Sequence, residues 1–271
     1  MTSRLTGFGV MLGSMVVSHL RNRLAMALAV FFLPLWLVLV RVSAYSSVLP
    51  FSVKAAGVRA LLNSNQVAQL AGMVNAVTTV IGFMMFMTTI KAREMDRRLV
   101  LAGYSRWGLL GARFTSLMAV AAVLSLYTAL LLYLSLPVRQ FWWLAVSLLA
   151  ATVTYGALGL MLGSLLRGEL EGFFIVIMVS LVDAGMQNPT VKVVDLPGLD
   201  ALPLHGALQS ALASAFTPVA PGGYMMRTLV WCAGTVAVAL AAFCLRARSY
   251  GAVLWTPSDR ESASAALSSV P

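Results

Sequence analysis

A charged segment at residues 91–107 carries the side chains of this sequence that are best suited to chemistry. Guanidinium and carboxylate groups form charge-assisted hydrogen bonds with a partner, and Tyr and Trp rings anchor protein interfaces. This mixture favours recognition of another protein, and a solvated loop that only sets membrane orientation stays as the alternative. The chain is 10% charged, and this segment contains Lys91, Arg93, Glu94, Asp96, Arg97, Arg98, Tyr104, Arg106 and Trp107.

The spacing of the apolar residues around this segment predicts its conformation. Val100, Tyr104, Trp107 and Phe114 lie three, four or seven positions apart, which places side chains on one face of a helix. We therefore expect an amphipathic helix on the inner face of a membrane, with its apolar side in lipid and its arginines toward the cytoplasm.

A second group of polar residues lies within stretches that are otherwise apolar. Asp183 is an acidic residue at membrane depth, where such a residue is expected to face a helix bundle or a wet cavity. Asp183, Gln187, Asn75 and Thr78 are therefore candidate pathway residues. Structural roles are the alternative: Asp183 would bond a helix end before Pro189, and Asn75 and Thr78 would bond neighbouring helices.

Motifs of soluble enzymes are not found in the sequence. It has no G-x-x-x-x-G-K-[ST] phosphate-binding loop, no H-E-x-x-H motif and no cluster of Cys and His. We therefore expect no catalytic residue, no metal site and no cofactor on this chain.

Composition indicates a membrane protein. The 271 residues are 60% hydrophobic and 10% charged, whereas soluble domains carry about 25% charged residues. The net charge of +10 does not indicate nucleic-acid binding, because Lys and Arg lie at the ends of apolar runs, where they suit anionic lipid headgroups. We predict one all-α integral membrane domain over residues 1–250 and a disordered cytoplasmic tail at 251–271.

Six apolar stretches are candidates for crossing a bilayer, which takes roughly 20 residues. An interfacial helix at 4–20 is expected before the first of them, and a short polar loop is expected at 43–66. A short helix at 204–216 would either enter the membrane from outside or cap the protein there. The six predicted spans lie at about 24–40, 67–90, 114–136, 141–166, 170–187 and 225–245.

The distribution of Lys and Arg predicts the orientation. With a cytoplasmic N-terminus, 13 of the 19 basic residues fall inside and six fall outside. Both termini and the charged segment are therefore expected in the cytoplasm.

Glycine spacing in and after the fourth span predicts close helix packing. Gly159 and Gly163 are four positions apart, as are Gly168 and Gly172, and such pairs allow helix backbones to approach closely. The pattern does not distinguish packing within one chain from a dimer interface.

Together these features resemble the membrane permease of a type-2 ATP-binding-cassette (ABC) exporter. In that family a charged segment with a glutamate follows the second span and continues into a short amphipathic helix that docks on the ATPase. Residues 93–106 occupy that place, and residues 156–167 resemble the glycine-rich fourth span. The stretch 183–189 departs from the family, which often has apolar residues and a Gly-Pro turn there.

The resemblance implies transport without chemistry on the substrate. Two permease copies, or one copy and a paralogue, would form the pathway in the plasma membrane, and a separate ATPase subunit would bind ATP and Mg²⁺. A self-sufficient carrier or channel is the first alternative, and a membrane-embedded enzyme is the second. The residues expected to couple to the ATPase are Arg93, Glu94, Asp96, Arg97, Arg98, Tyr104, Arg106 and Trp107.

Overall fold

A computed structural model describes residues 27–103, 106–166, 168–189 and 201–252. The predicted entry helix at 4–20 and the tail from residue 253 onward lie outside these ranges. The described helices are α1 (Leu33–Ser43, after a π-helical turn at Leu28–Phe32), α2 (Ser64–Lys91), α3 (Arg93–Leu101), α4 (Arg106–Ser135), α5 (Phe141–Leu165), α6 (Glu169–Gln187), α7 (Pro203–Phe216) and α8 (Gly222–Ala252).

Four of these helices are long and apolar enough to cross a membrane. They are α2, α5, the part of α4 at Gly108–Ser135 and the part of α8 at Gly222–Leu245. Their positions match predicted spans two, four, three and six, so the prediction of a mostly helical protein is confirmed. The length and composition of these four helices are compatible with the predicted integral membrane protein. Helices α1 and α6 lie where spans one and five were predicted.

The segment between α1 and α2 is a β-hairpin, so the prediction of a short polar loop and of an all-α fold is wrong there. Strand β1 (Val48–Val53) pairs antiparallel with β2 (Val58–Asn63). A 3₁₀ turn at Lys54–Ala56 joins them, followed by Gly57 in the left-handed conformation with φ 65°, which glycine adopts without steric cost. The hairpin is amphipathic: Phe51 and Val53 pack against the core.

The core lies between α2 and α5. Most residues of these two helices are buried, whereas α4 and α8 bury a smaller share of their surface. Long apolar side chains such as Met73, Ile81 and Leu148 fill the space between the helices. The remaining helices pack around this pair.

The bundle has two distinct ends. At one end, the backbone N–H groups of Arg139 and Gln140 donate to the carbonyls of Ala215 and Ser214 at the end of α7. The hairpin lies on the same side, because the N–H of Lys54 donates to Gln209 Oε1 of α7 at 3.1 Å. We call this the hairpin end, and the opposite end, with α3 and the turn between α5 and α6, the α3 end.

Helix α7 is enclosed by the rest of the protein. Every residue from Leu204 to Ala215 is buried, and α7 packs against α5, α8 and the hairpin turn. Its 14 residues extend about 21 Å, which is too short to cross a bilayer. The prediction of a helix at 204–216 is confirmed, and this helix lies within the fold instead of capping it from outside.

Candidate functional site

The charged segment does not form one continuous amphipathic helix. Helix α3 ends at Leu101, Gly103 adopts φ 83°, and the long helix α4 is present from Arg106. The predicted apolar stripe is therefore divided, because Val100 belongs to α3 and Phe114 belongs to α4. Tyr104 lies outside the described residues, as do the side chains of Arg106 and Trp107.

Asp96 is buried and does not lie on the outer surface of α3. Its Oδ2 atom accepts a hydrogen bond of 2.5 Å from Nη2 of Arg113 on α4, and the two residues are 5% and 4% exposed. The guanidinium carbon of Arg113 also lies 5.8 Å from the centre of the Phe243 ring on α8. Since removing either partner would leave an uncompensated buried charge, this pair fixes α3 against α4 and α8.

Arg93 connects the start of α3 to the end of α5. Its Nη2 atom donates to the carbonyl of Gly163 at 2.7 Å and to the carbonyl of Leu166. The last carbonyls of a helix have no partner within the helix and carry its partial negative charge, so a cation satisfies them well. Arg93 is thus a second contact that fixes α3, here against α5.

The remaining charged side chains of α3 face solvent. Glu94, Arg97 and Arg98 are exposed, and Glu94 and Arg98 form an ion pair of 3.7 Å that contributes little to stability at such exposure. Met95 and Leu101 are also exposed, Met95 by 62%. We call these five residues the α3 face: a charged surface that also exposes two apolar side chains.

The residues predicted to couple to the ATPase and the residues predicted to line a pathway lie at different places in the structure. The α3 face is formed near the end of α2, whereas Asp183 lies on α6, where this helix meets α5 and α7. Asp183 and Gln187 belong to one buried stripe of α6, together with Gly172, Val176 and Ser180.

Asp183 is bonded by groups from three helices. Its carboxylate accepts hydrogen bonds from the Tyr155 hydroxyl on α5, from Nε2 of Gln187 on α6 and, at 3.1 Å, from the backbone N–H of Leu204 on α7. Leu202, the N-cap of α7, has no side-chain acceptor, and a carboxylate at this position both accepts a free N–H and interacts favourably with the helix dipole. The residue is 2% exposed and acts here as a cap for α7.

Asn75 and Thr78 make packing contacts. Oδ1 of Asn75 accepts a hydrogen bond of 3.0 Å from the Ser180 hydroxyl on α6, and Thr79 also bonds to Ser180. Thr78 is fully buried and its hydroxyl donates to the carbonyl of Val74 in its own helix at 3.0 Å. Asn75 thus joins α2 to α6. Hydrogen bonding to a neighbouring helix is the structural role that was predicted for it as the alternative to a pathway role.

Three of the four singled-out glycines allow close approach within this chain. A Cβ atom at Gly159 would lie 2.1 Å from the carbonyl oxygen of Gly82 on α2, and one at Gly163 would lie 2.7 Å from Cβ of Thr89. A Cβ atom at Gly172 would lie 2.0 Å from the ring of Phe86. Gly168 differs, since a Cβ atom there would meet only the side chain of Glu171 in its own turn.

The residues that sequence reasoning missed are the partners of the two buried carboxylates. In the sequence, Arg113 is one more positive charge at the start of span three, and Tyr155 is one more aromatic residue of span four. The types of both residues indicated that each has a hydrogen-bond partner, because an ionisable or hydroxyl group within an apolar helix needs one. The backbone N–H of Leu204 carries no sequence signal at all.

The side chains of the described residues form hydrogen bonds, ion pairs and packing contacts. Among them, no group of three or more His, Cys, Asp and Glu residues could hold a metal ion. In comparisons with known proteins, the chain matches no protein-family model and no curated protein.

Proposed function

We propose that this chain is the membrane subunit of an ATP-driven exporter and couples to a separate cytoplasmic ATPase subunit. The observation that supports this proposal is the α3 face. Glu94, Arg97 and Arg98 offer charge-assisted contacts, and Met95 and Leu101 offer burial, the two components of a specific protein interface. Tyr104, Arg106 and Trp107, which are also expected to couple to the ATPase, follow in the sequence.

The anchoring of α3 supports a role in transmitting motion. The Asp96–Arg113 pair connects α3 to α4, the Phe243 contact extends this connection to α8, and Arg93 connects α3 to α5. A displacement of α3 by a partner would therefore move these helices. ATP drives transport only if ATP binding by the partner favours one arrangement of the helices over another.

The proposal includes a full topology. The apolar run at 24–40, which α1 and its π-helical turn cover in part, serves as span one, and α6 serves as span five beside the four long apolar helices. The α3 end and both termini lie in the cytoplasm, and the protein resides in the plasma membrane. A second copy of the chain, or a paralogue, completes the pathway. ATP and Mg²⁺ bind to the partner ATPase, and this chain performs no catalysis.

A purification experiment tests the proposal. The tagged protein is isolated from its native membranes in mild detergent, and the proteins that accompany it are identified by mass spectrometry. We expect a stoichiometric partner that has a phosphate-binding loop and hydrolyses ATP. Reversing two charges of the α3 face, with Arg97→Glu and Arg98→Glu, should reduce recovery of this partner at least about tenfold, which corresponds to about 1.4 kcal/mol.

The matched control reverses a charge at the other end of the bundle. Arg59 is exposed on β2 at the hairpin end, so Arg59→Glu should leave recovery of the partner unchanged. Equal losses with both variants would argue against a specific α3 face. A protein that purifies without any ATPase would contradict the exporter proposal and favour a self-sufficient carrier or channel.

A further inference from the structure

We propose that one face of the β-hairpin lies in the phospholipid headgroup layer of the membrane at the hairpin end. We call it the outward hairpin face; its exposed residues are Val48, Pro50, Ser52, Arg59 and Leu61. The partner is the bilayer, which offers phosphate groups to the arginine and the upper part of its acyl chains to the apolar side chains. This inference requires a membrane, but neither an ATPase partner nor a particular orientation of the protein.

The two faces of the hairpin differ in their surroundings, because the side chains of a strand alternate between its faces. Phe51 and Val53 point toward the bundle and pack against its core. On the opposite face Leu61 is 74% exposed, and Val48 and Pro50 are exposed as well. Exposed apolar side chains of this kind gain free energy when they are removed from water.

The hairpin is attached to the bundle at both its base and its tip. At the base, the hydroxyl of Ser64, the first residue of α2, donates to the carbonyl of Tyr45, which follows α1, at 2.6 Å. At the tip, the N–H of Lys54 donates to Oε1 of Gln209 on α7 at 3.1 Å. The hairpin therefore lies along the end of the bundle, close to where α1 and α2 end, instead of projecting far from it.

The apolar surface of α1 continues onto the hairpin. Leu35, Leu39 and Val42 are exposed and lie four and three positions apart, which places them in one stripe of the helix. Because α1 belongs to the proposed span one, this stripe faces lipid. Tyr45 follows and is 83% exposed, as Trp142 is largely exposed at the start of α5. Such amphipathic rings are typical of the headgroup level of a membrane, so the first strand begins at this level.

The exposed charges of the hairpin end are basic in the part of the chain that the structure describes. Arg59 lies on the outward hairpin face, two positions before Leu61, and forms no ion pair with a described carboxylate. The described acidic residue of this end, Asp183, is buried. A guanidinium group binds phosphate well, and basic side chains are attracted to anionic lipids. The other exposed basic residues of this end are Arg41, Lys54, Arg139 and Arg227.

A second copy of the hairpin suits this surface less well than lipid does. Strands at the edge of a sheet can add a strand from another chain, but proline and charged side chains oppose this. Pro50 has no N–H to donate from β1, and Arg59 places a charge on β2. If two copies met face to face, their like charges would also repel each other.

The experiment measures whether lipid reaches a fluorophore on the hairpin. Leu61→Cys is introduced together with Cys232→Ala and Cys244→Ala, labelled with nitrobenzoxadiazole, and reconstituted in vesicles of phosphatidylcholine and phosphatidylglycerol. The quencher is a phospholipid with a nitroxide near the top of an acyl chain. We expect the fluorophore to lose more than half of its emission, because an interfacial apolar side chain enters about 5–10 Å into the boundary between headgroups and acyl chains.

Two further reporters provide the controls. Ser52→Cys lies on the same face near the tip and should keep most of its emission with the lipid quencher, but lose it with aqueous iodide. Leu35→Cys on α1 should be quenched by a nitroxide placed deeper in the acyl chain. If Leu61→Cys does not accumulate in membranes, Val48→Cys on the same face takes its place, with the same expected loss of emission.

Quenching by lipid that is much stronger at position 61 than at position 52 supports the proposal. Quenching at position 61 by iodide and not by lipid would show that the outward hairpin face lies in water. Protection from both quenchers would show that protein covers this face, as a second copy would. Either of these two results overturns the proposal.

The phosphate contact of Arg59 is tested by moving the nitroxide from phosphatidylcholine to phosphatidylglycerol. We expect quenching at position 61 to become up to about fivefold more effective, which corresponds to about 1 kcal/mol for a basic residue near an anionic surface. Arg59→Glu should abolish this difference, whereas Arg98→Glu, the same charge reversal at the α3 end, should preserve it. Equal quenching by the two lipids without either substitution would overturn the phosphate contact.

Discussion

At the scale of single residues, two carboxylates in the described part of the chain are buried, and each is stabilised differently. Asp96 is neutralised by the guanidinium of Arg113, whereas Asp183 is surrounded by hydroxyl, amide and backbone N–H donors. Both sets of bonds are charge-assisted hydrogen bonds, and the guanidinium of Arg113 also cancels the charge of the carboxylate that it bonds, which neutral donors do not. The first set anchors α3 to α4, and the second caps the first turn of α7.

We predict that Asp96 and Arg113 depend on each other for stability. Asp96→Asn should lower the free energy of unfolding by about 3–5 kcal/mol, because it leaves the Arg113 charge buried and unpaired. The double variant Asp96→Leu with Arg113→Met, which removes both charges, should recover most of this loss. Thermal unfolding in detergent, followed by size-exclusion chromatography, measures the effect.

The exposed pair provides the control for this prediction. Glu94→Gln removes the ion pair with Arg98 at the surface of the same helix, and its stability should change little. If Asp96→Asn were as stable as Glu94→Gln, the assignment of the buried pair as the anchor of α3 would be wrong.

How far these residues could be predicted depends on how many positions of the sequence separate the two partners of a bond. The charged segment and Asp183 stand out by composition alone, since both interrupt apolar sequence. Asp96 and Arg113 are separated by 17 positions, and Tyr155 and Asp183 by 28. Such pairings arise from the packing of different helices, so the sequence indicated which residues were unusual but not which of them were buried together.

At the scale of elements, small residues determine how closely α2 and α5 approach. Gly82 on α2 faces Gly159 on α5, with the backbone of one helix directly against the other. Phe86, fully buried, then fills the space opposite Gly172 on α6. Spacing of glycines predicted close contact, and the structure assigns Gly159 and Gly163 to contacts within the chain.

We predict that Gly159→Ala destabilises the protein. Its Cβ atom would lie 2.1 Å from a backbone oxygen that cannot rotate away, so α2 and α5 must separate, at a cost of about 1–3 kcal/mol. Gly234→Ala on α8 is the matched control, because nothing lies within 4 Å of its Cβ position, and replacing an exposed helical glycine should be neutral or slightly stabilising. Melting temperatures in detergent compare the two, and an equal effect would contradict the packing assignment.

The long helices were predicted correctly, whereas the hairpin and the break between α3 and α4 were not. The four longest apolar helices are confirmed near their predicted bounds, because a run of apolar residues has few other stable forms in a membrane. The hairpin was missed because its strands are short and their alternation is interrupted by Pro50, which weakens the periodic signal of a strand. The break at Gly103 was missed because helical spacing continues on both sides of it.

At the scale of the whole molecule, the two ends of the bundle differ in charge and in structure. The α3 end presents Glu94, Arg97 and Arg98 on a helix anchored from inside, and the hairpin end encloses α7. The core formed by α2 and α5 runs between these ends.

The orientation of the molecule gives the last prediction. With the N-terminus inside, the predicted topology puts 13 of the 19 Lys and Arg residues on the same side as α3, so the positive-inside rule predicts that the α3 end lies in the cytoplasm. In a background without Cys232 and Cys244, Ser52→Cys on the hairpin should react with an impermeant maleimide in intact cells. Arg98→Cys should react only after the membrane is permeabilised, since both positions are exposed on the protein and only the membrane separates them. The reverse pattern would place the α3 face outside the cell, where a cytoplasmic ATPase could not bind it, and the exporter proposal would fail.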